Sequence, residues 1–169
     1  MLFNSIDFAI FLPIFFVIYW LTSKFNVKAQ NLLVVLASYI FYGWWDWRFL
    51  FLIIFSTIID YSIGLKIYKE PSQFKRKLLL WVSIFINLGF LGYFKYCNFF
   101  VENFISAFSL LGFEIQYNSI NVILPVGISF YTFQTMSYTI DIYKRKLLPT
   151  KDIIAFSAFV SFFPQLVAG

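Results

Sequence analysis

Histidine is absent from this 169-residue chain, and cysteine occurs once, as Cys97. Without histidine the chain has neither the commonest metal ligand nor the commonest general base. A single thiol forms no disulfide within the chain and builds no cysteine-based zinc site. Charge is scarce as well: Asp, Glu, Lys and Arg make up 12% of the residues, against about 25% in an average soluble domain. What fills the chain instead is apolar, with 61% hydrophobic and 24% aromatic residues and a mean hydropathy of +0.80. A water-soluble fold of this length has no interior large enough for so much apolar surface, so the composition points to an integral membrane protein. No internal repeat, low-complexity linker or soluble domain boundary interrupts it.

The few charges are informative by their placement. Thirteen Lys and Arg sit in short gaps between apolar stretches, and the gaps alternate between basic-rich and basic-poor. Nucleic-acid binding needs its basic residues clustered on one face, so the net charge of +5 does not indicate that partner. Short basic loops mark the cytoplasmic side of a membrane protein. Ile6 to Thr22 has no basic residue ahead of it and Lys24 and Lys28 behind it, and it lacks the n-region and cleavage site of a secretory signal. It is expected to be a retained span with its N-terminus outside. Leu32 to Trp47 then runs outward and ends in Phe41-Tyr42-Gly43-Trp44-Trp45-Asp46-Trp47-Arg48, a cluster of rings suited to the headgroup level. Phe49 to Leu65 returns inward to Lys66, Lys69, Lys75, Arg76 and Lys77, and Leu78 to Phe94 runs out to Lys95. Asn98 to Asn121 is more polar and reads as an interfacial or re-entrant element. Counting it as a non-crossing keeps Lys144, Arg145, Lys146 and Lys151 inside. Val122 to Ile142 and Ile153 to Ala168 complete the set. The expected fold class is therefore all-α, a polytopic integral membrane helix bundle of about six transmembrane stretches plus one interfacial or re-entrant element. Its place is the cell's inner (plasma) membrane, with eleven basic residues inside and only Arg48 and Lys95 outside.

Polar residues within the spans are the candidates for chemistry. At 3.6 residues per turn Gly127, Tyr131, Gln134, Tyr138 and Asp141 share one face, directed into protein or water. Val126, Phe130, Phe133 and Ile140 form another, directed toward lipid. Ser129, Thr132, Thr135 and Thr139 make a third strip whose hydroxyls are placed to bond neighbouring helices. The first face reads either as interhelical glue or as the lining of a substrate path. Asp60 lies within the third stretch, about 9 Å along the helix from Lys66, and is either paired with Lys66 or a tyrosine hydroxyl or part of a site. Gly89-x-x-Gly92 is expected to permit close helix approach. No metal site is indicated.

At these residues a family resemblance enters. Leu124-Pro125-Val126-Gly127-Ile128-Ser129-Phe130-Tyr131-Thr132-Phe133-Gln134-Thr135-Met136-Ser137-Tyr138, continuing to Ile140-Asp141-Ile142-Tyr143, resembles the signature segment of the membrane-bound O-acyltransferase family in its bacterial polysaccharide O-acetylation (alginate) branch. Met1-Leu2-Phe3-Asn4-Ser5, Phe41-Tyr42-Gly43-Trp44-Trp45-Asp46 and Gly92-Tyr93-Phe94-Lys95-Tyr96 agree in order and spacing. Phe162-Phe163-Pro164-Gln165-Leu166-Val167-Ala168-Gly169 is similar to a family segment that normally continues. The resemblance implies an enzyme with a tunnel through the bilayer, carrying an acyl group from a cytoplasmic donor, acetyl-CoA or an acyl carrier, by way of a central histidine to an exported polysaccharide or to a partner acyltransferase outside. This chain has no histidine, so that residue has no counterpart here and no catalytic residue is assigned. Residues 1–169 are expected to be the N-terminal transmembrane part of a larger acyltransferase, inactive alone, with Gly127, Tyr131, Gln134, Tyr138, Asp141 and Asp60 as candidate tunnel-lining positions. The alternative is a non-enzymatic transport or assembly subunit, for which the polar face would form a solute path.

Overall fold

A computed structural model describes residues 5–22, 24, 26–110 and 125–168. The Met1 to Asn4 part of the opening motif, the stretch 111–124 and Gly169 lie outside the described residues. Every regular element among the described residues is helical. Helix α1 spans Ile6–Thr22, the bounds the apolar run predicts; the Ser5 hydroxyl accepts the Phe8 amide at 3.2 Å and so satisfies one of the donors a helix start leaves open. Helix α2 spans Val27–Lys69. Asn26 caps it, its side chain accepting the Ala29 amide at 2.8 Å, and Pro71 lies just past its end.

Two expected spans are merged in α2, with one non-helical residue at Asp46 (φ −159°, ψ 110°). The Asp46 carboxylate accepts the Arg48 backbone amide at 3.0 Å and its guanidinium at 2.7 Å, which fixes the turn locally. A straight helix would separate Phe41 from Tyr61 by about 30 Å. Yet the Phe41 ring meets Phe163 at 5.2 Å and the Tyr61 ring meets Phe156 at 5.9 Å, two residues close together in the chain. The bend at Asp46 reconciles these contacts, and it falls inside the aromatic cluster where the turn was expected.

The fourth apolar stretch does not stop at Lys95 as expected. Helix α3 (Gln73–Leu91) continues through a π-helical turn, Gly92–Tyr96, into α4 (Cys97–Leu110). No proline or glycine follows Gly92 before Leu110, so nothing in the backbone ends the run, and the π-turn absorbs the irregularity at Gly92. None of α4 is buried. The rest of the expected interfacial element, 111–121, lies outside the described residues.

Helix α5 spans Ile128–Tyr143; residues 122–124, where the fifth stretch was expected to begin, are outside the described set. The sixth stretch is two helices, α6 (Ile153–Ser161) and α7 (Phe163–Ala168), broken at Phe162 (ψ 107°). Asp152 caps α6 by accepting the Ile154 and Ala155 amides at 2.9 and 3.2 Å. Pro164 sits in the first turn of α7, where its missing N–H costs nothing. Helices α2, α3, α5 and α6 pack around Ile53, Ile67, Ile128, Ile142, Val160 and Leu166, all buried. Phe11 and Phe15 of α1 meet Phe163 at 5.5 and 5.3 Å. Large apolar side chains such as Phe51, Phe74 and Phe85 point outward, the inverse of a water-soluble surface. Two runs, Asp46–Lys69 and Gln73–Leu110, are long and apolar enough to cross a membrane, while Ile6–Thr22 and Ile153–Leu166 are apolar but shorter.

Candidate functional site

The deepest polar cluster forms where α2, α3 and α5 meet. Asp60 is fully buried there. Its Oδ1 accepts the Ser83 hydroxyl at 2.6 Å, and Nδ2 of Asn87 lies 3.1 and 2.8 Å from its two oxygens. Asn87 also donates to the Ser83 carbonyl at 3.0 Å, while its Oδ1 accepts from Ser56 at 3.1 Å and from Thr135 at 3.3 Å. Ser83 and Thr139 place their hydroxyls 3.3 Å apart. Neither expected partner of Asp60 is present. Lys66 lies six residues on, a rotation of about 240° at 100° per residue, so it projects away and is exposed. The hydroxyls that serve Asp60 are serines, and no cation pairs with it among the described residues. Three helices thus share one network in which each carboxylate oxygen has a donor, the condition for keeping such a group buried. Thr135 and Thr139 bond across helices, as their strip was expected to do.

The α5 face divides. Gln134, Tyr138 and Asp141 border a cleft of about 440 Å³ together with Phe133, Ser137 and Phe159. Phe130 lines it as well, so two aromatics of the expected lipid face border this cleft, and Phe133 is exposed. Tyr131 and Gly127 are not part of it. The buried arc of α5 contains Tyr131, Thr135, Tyr138, Thr139 and Ile142, and at about 100° per residue its centre lies some 80° from the middle of the expected face. That face straddles the border between core and cleft. Tyr138 spans both, its ring tilted against Phe156 at 4.5 Å between centroids.

Gly127 has a backbone reason for being glycine. It caps α5 with φ +75°, a conformation L side chains rarely adopt, and a Cβ there would collide with the Leu166 carbonyl oxygen. The close helix approach lies at Gly64, where a Cβ would stand 2.9 Å from Tyr138 Cε1 and 3.0 Å from Ile142 Cδ1. Gly89 and Gly92 have nothing within 4 Å of such an atom, so the expected Gly89-x-x-Gly92 contact is not made.

Gln134 connects the cleft to the helix break. Ending α6 at Ser161 leaves its last carbonyls without intrahelical donors, and Gln134 Nε2 donates to one of them, Phe159 O, at 2.9 Å. Ser38 does the complementary service, its hydroxyl accepting the Phe163 amide at 3.2 Å. Gln134 Oε1 is buried without a hydrogen-bond partner among the described residues. No group of metal-ligating side chains occurs among the described residues. Chemically the arrangement offers a polar-edged apolar cleft on one side of α5 and, on the other, a buried carboxylate held by the Ser83 hydroxyl and the Asn87 amide.

No protein-family profile matches the chain and no solved structure is similar to it. Curated sequences are similar. A probable alginate O-acetylase of Pseudomonas syringae pv. tomato is 44% identical over 94% of this chain, and that of Pseudomonas aeruginosa 40% identical over 95%. A peptidoglycan O-acetyltransferase of Helicobacter pylori is 33% identical over 94% of the chain. The chain spans only 30%, 30% and 34% of those three proteins. Over nearly all of its own length, the chain is thus similar to about a third of each of these O-acetylating proteins, the alginate O-acetylases foremost.

Proposed function

We propose that the chain is the N-terminal transmembrane part of an O-acetyltransferase that passes an acetyl group across or at the inner membrane to an exported polysaccharide. The observation that carries this reading is the 44% identity to a probable alginate O-acetylase across nearly the whole chain. The donor is acetyl-CoA or an acyl carrier on the cytoplasmic side, and the acceptor is the polysaccharide or a periplasmic acyltransferase that hands the group on. Six spans, with the N-terminus outside, supply scaffold and substrate path. The catalytic base lies outside these residues, since none of them is histidine.

Within that path Gln134, Tyr138 and Asp141 border the cleft, whereas Gly127, Tyr131 and Asp60 hold the helices that shape it. In a host lacking its own enzyme, the intact protein should restore acetyl esters on the exported polysaccharide, measured by ester content. Gln134→Leu should lower that content by more than tenfold, because it removes both the α6 carbonyl's donor and the polar edge of the cleft, while Ile140→Leu should change it less than twofold. Unchanged ester content in the complemented host sinks the enzyme reading. Solute uptake by the purified chain in vesicles would favour the transport alternative.

A further inference from the structure

Helices α2 and α3, joined through Pro71, leave a groove that the polar cluster does not use. At its basic end Lys66, Lys69, Glu70, Lys75, Leu78 and Leu79 line a cleft of about 520 Å³. Lys66 and Lys69 lie about one turn apart on α2, Lys75 lies in the first turn of α3, and all three are exposed. Glu70 turns one oxygen to the Ser72 amide at 3.2 Å and, among the described residues, pairs with none of these lysines, so the cleft carries three positive charges against one negative. Further along the same helices Leu52, Phe55, Phe85, Ile86, Gly89 and Tyr93 border an apolar cleft of about 540 Å³. Between the two clefts, steps of three or four residues along α3 present Leu78, Val82 and Phe85, which are 56%, 41% and 68% exposed. The bare Gly89 keeps the far end open. Leu78 to Gly89 covers about 16 Å of helix, close to half of the roughly 30 Å hydrocarbon core of a bilayer, which is the depth of one leaflet.

We propose that this groove holds an anionic phospholipid of the inner leaflet, with its phosphate among Lys66, Lys69 and Lys75 and an acyl chain along Leu78, Val82 and Phe85 to the cleft at Gly89. The proposal rests on the membrane reading above. A soluble anion would match the lysines and leave the apolar length empty. A zwitterionic lipid would fill the length and leave the cleft's net positive charge uncompensated. An acetyl donor carries an acyl group too short to follow the groove. Basic pockets between membrane helices on the cytoplasmic side recognise acidic headgroups by this charge match, and the groove supplies the depth that a headgroup-only site lacks.

The test equilibrates the intact protein, purified in mild detergent, with equal amounts of phosphatidylglycerol and phosphatidylcholine and counts retained lipids by native mass spectrometry. Phosphatidylglycerol should be retained preferentially, and millimolar glycerol phosphate should not displace it. Replacing Lys66, Lys69 and Lys75 by Gln should lower the preference by about fivefold per lysine, whereas Lys144→Gln with Lys146→Gln, outside the groove, should leave it unchanged. Should the triple variant fail to fold, Lys75→Gln alone must still show its single step. Equal retention of the two lipids, a parental preference in the lysine variants, or displacement by glycerol phosphate overturns the proposal. Alkaline carbonate extraction separates the two failures: release of the protein from membranes removes the membrane reading, while an embedded protein without headgroup preference removes this proposal alone.

Discussion

The carboxylate of Asp60 draws its donors mainly from α3, and Asn87 is the residue on which the others converge. Its amide gives hydrogen to Asp60, and its carbonyl receives the hydroxyls of Ser56 and Thr135. Removing that side chain leaves a buried acid short of a donor, a loss of about 1 to 3 kcal/mol for a buried group deprived of its partner. Removing one hydroxyl costs less, since hydrogen bonds between membrane helices average about 0.6 kcal/mol in one measured system. Asn87→Leu should therefore lower the thermal unfolding midpoint in detergent clearly more than Thr135→Val. Asp60→Asn, which keeps one acceptor for Ser83 and Asn87, should fall between them. Similar midpoints for Asn87→Leu and Thr135→Val would show that the network has no such centre.

Between elements, glycines separate contact from open space, and three of them give an ordered expectation. Gly89→Ala sits in a helix with no neighbour in reach, so the gain in helix propensity, about 1 kcal/mol, should appear as neutral or raised stability. Gly64→Ala presses its methyl on Tyr138, a ring held by Phe156, and overpacking of about 1 to 3 kcal/mol should outweigh the same propensity gain. Gly127→Ala should be worst, because its neighbour is the Leu166 backbone and its φ is positive. Yield of monodisperse protein across the three variants checks the order, and a Gly127→Ala variant as stable as Gly89→Ala would contradict it. The helix ends carry local signals in the chain, since capping and the missing proline N–H act within a few residues, but the caps at Asn26 and Asp152 were not read. The Asp60 partners were not read, although their signal was present. Ser56 and Asp60, Ser83 and Asn87, and Thr135 and Thr139 are each pairs four residues apart inside an apolar helix, so each puts two polar groups on one face. Which faces meet depends on packing between helices. The cleft could not be placed for a similar reason, since periodicity gives the angular position of Phe130 and Phe133 but not the direction of the core.

At the scale of the whole molecule, the loops gather charge at one end. The α2–α3 turn and the α5–α6 loop are tied together by Gln73 Nε2 to the Tyr143 hydroxyl at 3.2 Å, by Arg76 to the Tyr143 carbonyl, and by Arg145 to the Tyr68 carbonyl at 3.0 Å. The Tyr61 hydroxyl joins them by donating to Lys151 O at 2.7 Å. Both arginines give protons to C-terminal carbonyls of a helix, the end where positive charge is favoured. Nine of the thirteen basic residues, from Lys66 to Lys77 and from Lys144 to Lys151, belong to these two joined segments. They must therefore lie on the same side of any membrane the bundle crosses. The bias of basic loops proposes the cytoplasm for that side. Near the far end of α5, Lys95 Nζ lies 3.4 Å from Ser129 Oγ and the Tyr42 hydroxyl donates to Val126 O at 2.7 Å, on the same side as the Asp46 bend. Single cysteines at Ser72 and Lys146 in a Cys97→Ser background should both resist an impermeant thiol reagent in intact cells, and one at Trp47, 66% exposed beside the bend, should react. Labelling Lys146 but not Ser72 from outside would break the joint placement of the two loops and with it the packing of α3 on α5. Labelling both, with Trp47 protected, would keep the bundle and invert it, so the charge bias alone would have failed.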